Sequence, residues 1–570
     1  MEILSLHMEE DTEIKKIALK NAMEHGGRAE DGAILSKVIG ADKSVLKDLK
    51  TLRAKVKEMV NYVNGLSDAQ RAEEAEELGV NIATSAKAEP KAELKDLPNV
   101  KGKVVLRLPP EPSGFMHLGH AISGMINFLY KEKYNGKLWL RFEDTNPVRG
   151  YQNFIDDFKS GYSWLGIKWD EEKFITDDMI KIYDYAEKLL KEGKLYACSC
   201  PEEDIKKNRA GGTQCACRNR PVDENLELFD LAKRGKKEPK SMVIRLVGDM
   251  KSNNYRFRDP NMFRIVRTDY KPFHLWPTYY FANVVEDYLC GVTHILRSNE
   301  FDPFVQSYLR KLLEFYEPIT VQFSRYNFKG VPFSKRVQRR LISEGKIKDY
   351  NDLRLPTIKA IRRRGIQPEA IKEFTLRVGY SGSKHEYTWD LLLTLNRRLI
   401  DERARRMFFV PDPIRLEVSG PNPGEVRLLN HPSSDRGSRI LKVSNVFFVD
   451  RNDFSEINGG DIIRLKDLFS IKVNKKEDNA LKAEVYSEKR VGAEKIIQWV
   501  SSDNTTIKVQ VIGELLNPDK TFNENSLMVK EGFAEKTVEL LNEGDIIQFE
   551  RFGFCRLDNK AGMEFIFISR

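Results

Sequence analysis

The chain has 570 residues, 41% of them hydrophobic, and its 94 basic and 85 acidic side chains leave a net charge of +9. This length predicts roughly three to five domains with buried cores. No apolar run reaches the roughly 18 residues of a membrane span, and the N-terminus lacks the basic start and small-residue cleavage site of an export signal. We therefore expect a cytoplasmic protein without a membrane anchor, and the mild basic excess permits a polyanionic partner without demonstrating one.

Residues 1–95 are predicted to form a helical N-terminal region followed by a linker. Apolar residues recur at helical spacing from Leu46 to Leu66, and Gly79 closes a further helical segment. Residues 80–100 contain alanine, lysine and proline without apolar periodicity, which is typical of a linker.

Residues 96–195 have the pattern of the first half of an α/β core. The segments KVVLRL (103–108) and KLWLRFED (137–144) are typical of buried strands, and residues 120–134 between them have a helical pattern. A strand, a helix and a strand at this spacing predict a parallel sheet. Residues 151–195 are predicted to be helical.

Two histidines follow the first strand in PPEPSGFMHLGH, residues 109–120. His117 and His120 would share one face of the first turn of a helix, whose positive end suits phosphate. Gly119 between them would leave room for a flat base or a ribose. Two imidazole donors can stabilise the charge of a nucleotidyl-transfer transition state, each contributing about 3 kcal/mol. A structural turn with two capping histidines is the alternative.

A lysine-bearing loop lies in a second α/β segment, residues 261–345. It contains Ser334, Lys335 and Arg336, about 215 residues after the histidine pair. A mobile lysine loop can close over a triphosphate. Such a basic tripeptide is by itself typical of a solvated surface, but together with the histidine pair it predicts nucleotidyl transfer.

Four of the six cysteines occur within residues 196–260, between the two α/β segments. They are Cys198 and Cys200, then Cys215 and Cys217 after fourteen intervening residues. Four thiolates can hold Zn²⁺ tetrahedrally in a structural site. The Cys-x-Cys spacing is tighter than the common two-residue gap, and reduced, unliganded cysteines are the alternative.

The rest of the chain divides into a helical part, residues 346–410, and a β-rich part, residues 411–570. The helical part has arginine runs at 361–365 and 396–409, together with aromatic residues. This composition suits phosphate contacts with RNA. A charged helix face that is simply solvated is the alternative. Short β-rich runs separated by Gly, Asn and Asp turns after residue 410 predict β-barrels.

The motifs together resemble a known family. HLGH with FSKR resembles the HIGH and KMSKS motifs of class I aminoacyl-tRNA synthetases, and RLPPEPSGFMHLGHA, LRFEDTNP, WPTYYFANVVEDYLCGVTHILRSNEF and RLPTIKAIRRRG are similar to its glutamyl/glutaminyl subclass. NHPSSDRGSRI, IIQWV and IQFERFGFCRLD continue the likeness, which spans about residues 100–570. More weakly, residues 21–40 resemble the helical extension of archaeal glutamyl enzymes.

The resemblance implies a multidomain α/β fold. A Rossmann-type catalytic core would be formed by residues 96–195 and 261–345 and interrupted by an acceptor-binding domain at 196–260. A helical stem-contact domain at 346–410 and two anticodon-binding β-barrels at 411–570 would follow. The implied reaction uses ATP and Mg²⁺ to activate L-glutamate, with tRNA bound beforehand, and transfers it to the terminal adenosine of tRNA(Glu), with tRNA(Gln) left open as a second substrate.

The resemblance also implies the roles of individual residues. His117, His120 and Lys335 would be catalytic, acting as electrostatic stabilisers and not as nucleophiles. Glutamate would be bound by Arg107, Glu143, Tyr279 and Arg297. ATP would be bound by Pro110, Glu111, Pro112, Ser113, Gly114, His117, Gly119, His120, Ser298, Arg325, Ser334 and Lys335.

Arg297 is the residue that favours glutamate over glutamine, because glutaminyl enzymes usually have a small uncharged residue there. A guanidinium pairs strongly with a carboxylate, and a site built on such a polar partner can reject the wrong analogue by about 10⁴–10⁵. A structural ion pair with Glu300 or Glu286 is the alternative. Tyr280 and Phe333 depart from the family pattern, which commonly has aspartate and methionine there.

Three other functions compete with this interpretation. A glutaminyl-tRNA synthetase would share the fold and differ at Arg297. A non-catalytic tRNA-binding paralogue could lose His117, Gly119, His120 and Lys335 freely, yet all four are present. A nucleotidyltransferase acting on a small alcohol would not need the C-terminal barrels. We expect a monomer, in which the N-terminal helices contact tRNA or a protein partner.

Overall fold

The computed structural model describes residues 2–24, 28–41, 49–78, 94–146, 151–299, 302–379, 385–432, 436–492 and 494–570. The chain divides into two compact units, Met1–Ala92 and Glu93–Arg570. Within the described ranges, no helix has the length and apolar character needed to cross a membrane.

The first unit is helical, as predicted. Its apolar core includes Ile14, Leu19, Val56 and Val60, which are all buried. Most of the predicted linker, residues 79–93, lies outside the described ranges. The helices are Glu2–Glu24, Asp31–Ala41, Leu49–Gly65 and Asp68–Glu77.

Parallel strands form the α/β core of the second unit. Val105–Leu108 pairs in parallel with Lys137–Phe142, which confirms the predicted strand–helix–strand unit. A third parallel strand, Glu171–Phe174, was not predicted, because this polar edge strand has no apolar pattern. His294–Ser298 and Ile319–Phe323 form a further parallel pair. The helices of this core are Leu118–Lys133, Tyr151–Trp164, Tyr279–Leu289 and Pro303–Leu313.

An antiparallel sheet of four strands interrupts the core. Its order is Leu195–Cys198, Val243–Leu246, Asn261–Ile265 and Leu275–Pro277. The predicted boundary at residue 260 falls inside this sheet, because the second and third strands pair with each other. Buried strands of either sheet type look alike in sequence, so the pattern did not separate them. The accompanying helices are Met179–Lys191, Glu202–Gly211 and Val222–Lys233, with 3₁₀ turns at Ile175–Asp178, Ala216–Asn219 and Tyr255–Phe257.

The helical region that follows supports the histidine turn of the core. Leu118 N donates to Pro356 O at 2.8 Å, and Ile358 N donates to Met116 O at 2.9 Å, so residues 356–358 run beside the turn. The helices here are Lys335–Ser343, Ile358–Arg363, Pro368–Val378 and Trp389–Asp401, and a short parallel pair joins Asn327–Phe328 to Glu386–Tyr387.

Two seven-stranded sheets form the C-terminal part and confirm the predicted β-barrels. In each sheet the two edge strands are nearly contiguous in the chain, so the sheet must curl round on itself. In order across the first sheet the strands are Arg405–Met407, Ile546–Phe549, Gly553–Asn559, Glu564–Ser569, Asn504–Ile512, Leu527–Glu535 and Phe409–Pro411. In the second they are Lys495–Ile497, Ile462–Leu465, Ser470–Glu477, Ala480–Ser487, Pro413–Ser419, Val446–Asp450 and Val500–Ser501.

The first barrel therefore begins at Arg405, before the predicted boundary at residue 411. The sequence around Arg405 and Arg406 continues the pattern of the preceding helix, so this short strand was not predicted. The remaining elements are the hairpin Glu425–Leu429 with Ser438–Lys442, the helix Arg451–Glu456 and the 3₁₀ turn Lys536–Leu540.

Candidate active site

A cleft of about 790 Å³ opens at the carboxyl ends of the parallel strands, the edge at which ligands bind in open α/β sheets. Most predicted site residues line it. They are Arg107, Pro110, Glu111, His117, Gly119, His120, Glu143, Tyr279, Arg297, Ser298, Arg325, Ser334 and Lys335. Pro112, Ser113 and Gly114 are not among its lining residues, but the lysine side chain of the loop lies against the last two.

The two histidines stack beside one another at the beginning of their helix. Their ring centroids are 3.7 Å apart, and His117 N donates to His120 Nδ1 at 3.2 Å. Phe333 of the lysine loop packs edge-on against His117. Burial lowers the pKa of His117 to about 3, and burial with the neighbouring ring lowers that of His120 well below its ordinary value. Both rings are therefore neutral hydrogen-bonding groups at physiological pH.

Gly119 lines the cleft, where room for a base or a ribose stays a prediction, and it also makes room for a neighbouring side chain. A Cβ at this position would lie 3.1 Å from His117 Cε1, so glycine allows the close approach of the histidine ring. Nor is the helix N-terminus entirely open, because the N–H groups of His117 and Leu118 already donate to His120 and Pro356. Conversely, His117 Nδ1 is buried and has no hydrogen-bond partner among the described residues, which leaves it available to a ligand.

Lys335 connects the lysine loop to the histidine turn. Its Nζ donates to Ser113 Oγ at 2.6 Å and lies 3.5 Å from Glu111 Oε2. Glu111 in turn accepts from Asn146, which accepts from Arg264 on the inserted sheet. Burial opposes ionisation of Glu111, but Lys335 and these hydrogen bonds prevail and lower its pKa. A chain of polar contacts from Lys335 to Arg264 thus lines part of the cleft.

A single carboxylate binds three arginines beneath the cleft. Asp287 is 2% exposed, and its oxygens lie 3.2 Å from Arg107 Nε, 2.9 Å from Arg141 Nη1 and 3.3 Å from Arg310 Nη2. Burial alone would raise the pKa of Asp287, but the three guanidinium groups hold it below its ordinary value. Arg107 Nη1 is buried with no partner among the described residues, so one donor of this cluster remains for a ligand.

Glu143 lies next to this cluster and faces the same cleft. Arg141 Nη2 donates to Asn283 Oδ1 at 2.8 Å and lies 3.4 Å from Glu143 Oε1. Burial raises the pKa of Glu143, although Arg141 and Arg107 oppose the rise. A cationic ligand group near Glu143 would favour its ionised form, as the predicted contact with an ammonium group requires.

Arg297 is 6% exposed and lines the cleft near the end of the strand His294–Ser298. Its Nη1 donates to Gln306 Oε1 at 2.5 Å and lies 3.5 Å from Tyr279 Oη. Of the two ion-pair partners considered above, Glu286 bonds to Lys173 at 2.9 Å. Glu300 lies outside the described residues.

Tyr280, the departure from the family pattern, is not a lining residue of the cleft. It is half-buried and packs with the apolar residues of the inserted region, where burial raises its pKa. The substitution therefore does not alter the surface that a ligand would meet.

Sequence reasoning missed Asp287, Asn283 and Gln306, which hold the cleft arginines in place. The sequence does contain a signal for Asp287 and Asn283. They occur in the apolar helix Tyr279–Leu289, where buried polar residues require partners. Nothing comparable distinguished Gln306 from an exposed glutamine.

Some of the arginines predicted to contact RNA make contacts within the protein. Arg363 forms a bidentate pair with Asp558 of the first barrel, and Arg364 is buried over the ring of Trp389. Arg397 donates to the C-terminal carbonyl of Arg570. Arg363 and Arg397 therefore connect the helical region to the β-rich part that follows it, and Arg364 packs within the helical region.

The four predicted cysteines converge at the inserted sheet. Their sulfur atoms all lie within 4.8 Å of one another, and the Cys198–Cys215 and Cys200–Cys217 pairs are each separated by 3.8 Å. A tetrahedron with Zn–S bonds of about 2.3 Å has S···S edges of about 3.8 Å. Arg245 Nη1 lies 3.9 Å from Cys198 Sγ, where a cation would offset thiolate charge.

Comparisons with known proteins agree with this geometry. Residues 103–402 match the family described as tRNA synthetases class I (E and Q), catalytic domain. Residues 404–489 and 496–558 match two anticodon-binding domains of the same class. A glutamate–tRNA ligase of Nitrosopumilus maritimus is 36% identical over 96% of this chain and 97% of its own length. One from Pyrococcus furiosus is 36% identical over 96% and 97%, and one from Methanocaldococcus jannaschii is 35% identical over 98% and 99%.

Replacing Asp287 with asparagine should strongly destabilise the catalytic core. The substitution leaves three buried guanidinium groups without their shared counter-charge, so the free energy of unfolding should fall by about 3–5 kcal/mol in denaturant titrations. Glu317→Gln is the matched control, because it removes a half-exposed partner of Arg310 and should cost at most about 1 kcal/mol. Equal effects of the two variants would contradict the role of Asp287.

The neutral state of His117 makes stability depend on pH. Its pKa is 6.5 in the unfolded chain and about 3 in the folded protein, so the folded state resists protonation. Its contribution to stability is complete above about pH 6.5 and is lost as the pH falls toward 3. Relative to His117→Asn, the native chain should lose up to about 2 kcal/mol between pH 7.5 and 5, measured by denaturant unfolding. A pH-independent difference would contradict this assignment.

Proposed function

The chain belongs to the class I aminoacyl-tRNA synthetases for glutamate and glutamine, as a glutamate–tRNA ligase of the archaeal type, and we propose that it activates glutamate in the cleft described above. The observation that carries this proposal is that two buried arginines, Arg107 and Arg297, line the same cleft as the stacked histidines and Lys335. We expect the enzyme to act in the cytoplasm, where its tRNA substrates are, and as a monomer.

Glutamate recognition depends on its three charged groups. We propose that Arg297 pairs with the side-chain carboxylate, since a guanidinium forms charge-assisted bonds to a carboxylate that a neutral amide cannot match. Glu143 would hold the ammonium group. Arg107, through its buried and unpartnered Nη1, and Tyr279 would complete the contacts to the amino acid.

The reaction proceeds in two steps. An oxygen of the glutamate α-carboxylate forms a bond to the α-phosphorus of ATP, and the bond between that phosphorus and pyrophosphate breaks. The terminal ribose hydroxyl of tRNA(Glu) then attacks the acyl carbon and releases AMP. Mg²⁺ neutralises phosphate charge when bound, and no side chain of this chain is assigned to it. tRNA(Gln) is the second substrate to test.

The chain's own residues stabilise the charge that develops during the first step. His117 and His120 are neutral and supply preorganised hydrogen bonds, whereas Lys335 supplies a full positive charge. Lys335 is one-third exposed and bonds to Ser113 and Glu111, so its ammonium group can exchange these partners for phosphate oxygens. None of the three forms a covalent bond to substrate.

We propose that the β-barrels bind the anticodon arm. A cavity of about 490 Å³ is lined by residues of both barrels and combines cationic and apolar side chains with Asp467 and Glu550, a mixture that can contact unstacked bases and phosphates. Its lining includes Arg406, Arg427, Leu429, Lys466 and Arg551.

We further propose that the four cysteines bind a structural zinc ion. Two sulfur pairs already have the spacing of a tetrahedral Cys₄ site, and all four thiols are free of disulfides. The site would fix the strand Leu195–Cys198 to the turn at Ala216–Asn219.

Replacing Arg297 with serine should remove the preference for glutamate. Loss of the guanidinium should reduce kcat/KM for glutamate by about 10³-fold or more, with little change in the KM for ATP. The measurement is charging of tRNA(Glu) and tRNA(Gln) with labelled glutamate and labelled glutamine. Arg267→Ser, at a surface arginine that is 63% exposed, is the matched control. Glutamate charging within a few-fold of the native enzyme would refute the pocket assignment.

Metal analysis tests the zinc proposal. The purified chain should contain one equivalent of zinc, and the double variant Cys215→Ser with Cys217→Ser should contain none and unfold at a lower temperature. Cys555→Ala, at a buried cysteine in the barrel, should retain the metal. A native chain that binds no zinc after refolding with it would show that the thiols are simply reduced.

A further inference from the structure

Arg339 contacts the same residue of the histidine turn as Lys335 does. Both side chains come from the helix Lys335–Ser343, which we call the lysine helix. Lys335 Nζ donates to Ser113 Oγ at 2.6 Å, and Arg339 Nη2 donates to the main-chain carbonyl of Ser113 at 3.0 Å. Residues four positions apart lie on one face of a helix, so the two cations converge on one residue. The two-step reaction described above does not use Arg339.

The two contacts with Ser113 respond differently to a bound nucleotide. In the proposed reaction Lys335 exchanges Ser113 and Glu111 for phosphate oxygens, so its present contacts are temporary. Arg339 bonds instead to a main-chain carbonyl, which stays in place whichever partner Lys335 has. Arg339 can therefore hold the lysine helix against the turn while the ammonium group of Lys335 changes partners.

We propose that Arg339 is a positioning residue, which fixes the beginning of the lysine helix beside Ser113 and thereby delivers Lys335 to the phosphates of ATP. The inference rests on the proposed role of Lys335 in the cleft. A cation stabilises a developing charge best when its position is fixed before the reaction. Without the contact at Ser113, the lysine helix is free to shift away from the turn, and the enzyme should use ATP less efficiently.

The contacts of the neighbouring residues show how closely the lysine helix approaches the turn. A Cβ added to Gly114 would lie 2.9 Å from Lys335 Cδ, so the lysine side chain lies directly on the backbone of the turn. Phe333, two residues before the lysine, packs edge-on against His117 with ring centroids 5.3 Å apart. A small displacement of the helix would therefore change the position of the ammonium group, and Arg339 is placed to prevent it.

The lysine helix does not need Arg339 for its own packing. Its apolar side carries Leu341, which is 1% exposed and packs with Leu355 and Leu515. Arg339 is exposed, so its replacement removes no buried group. Surface substitutions of this kind change the free energy of unfolding little. A variant at position 339 should fold, and its kinetic defect should report the lost contact with Ser113.

The test is a double-mutant cycle of Arg339→Met and Lys335→Met in the full chain. Charging of tRNA(Glu) is measured at varied ATP, glutamate and tRNA concentrations. Arg339→Met should lower kcat/KM for ATP about tenfold and leave the KM for glutamate within about twofold, because it removes one charge-assisted hydrogen bond outside the glutamate contacts. Lys335→Met should lower kcat/KM for ATP about 100-fold. Adding Arg339→Met to Lys335→Met should change this value by no more than about twofold, because Arg339 acts through the lysine.

Arg340→Met is the matched control. Arg340 is the next residue of the same helix, its side chain is 58% exposed, and it pairs with Glu344. Its replacement should leave kcat and every KM within about twofold. The proposal is overturned if Arg339→Met leaves kcat/KM for ATP unchanged, if Arg340→Met has the same effect, or if the KM for glutamate changes as much as that for ATP. It is also overturned if the effects of Arg339→Met and Lys335→Met multiply, because Arg339 would then act on the substrate independently of Lys335.

The outcome also separates this inference from the proposed function. If Lys335→Met lowers kcat/KM for ATP and Arg339→Met does not, only the role of Arg339 fails. If Lys335→Met itself leaves the use of ATP unchanged, the proposed role of Lys335 fails and the inference fails with it.

Discussion

One buried carboxylate fixes the geometry of the pocket. Asp287 is surrounded by the guanidinium groups of Arg107, Arg141 and Arg310, and none of these four residues is more than 2% exposed. Buried charges are tolerated only when they are paired and hydrogen-bonded. The two parallel strands and the two helices that carry these residues must therefore meet in one arrangement, and that arrangement orients Arg107 toward the cleft.

The rest of the site follows from how charge is distributed around this cluster. Arg107 and Arg297 place positive charge where we propose that glutamate binds, and Lys335 places it where we propose that phosphate lies. The histidines between these positions are neutral, because burial lowers the pKa of both rings. Preorganised neutral donors can stabilise developing phosphate charge without the cost of burying two further cations.

The sequence predicted those parts of the protein that depend on local pattern. The strand–helix–strand unit, the position of His117 next to His120, the convergence of the cysteines and the β-barrels all follow from spacing along the chain. The lysine loop required the family resemblance, since a basic tripeptide has no local signature. Its contact with Ser113 is between residues 222 positions apart.

Features that depend on tertiary contacts were not predicted. The strand Glu171–Phe174 is polar because it lies at a sheet edge, and the boundary at residue 260 failed because inserted and core strands are equally apolar. Gln306 contacts Arg297 only because its helix packs beside the strand that carries Arg297. The basic run that contains Arg363 and Arg364 suggests phosphate contacts with RNA in sequence, but Arg363 pairs with a barrel carboxylate and Arg364 packs on a tryptophan ring.

The most direct measurement is a crystal structure of the chain with a non-hydrolysable analogue of glutamyl-adenylate. The account predicts that the side-chain carboxylate of the analogue lies within about 3 Å of the Arg297 guanidinium, with Gln306 still bonded to the same guanidinium and the adenylate phosphate beside the stacked histidines. A carboxylate bound elsewhere, with Arg297 directed away from it, would contradict the account.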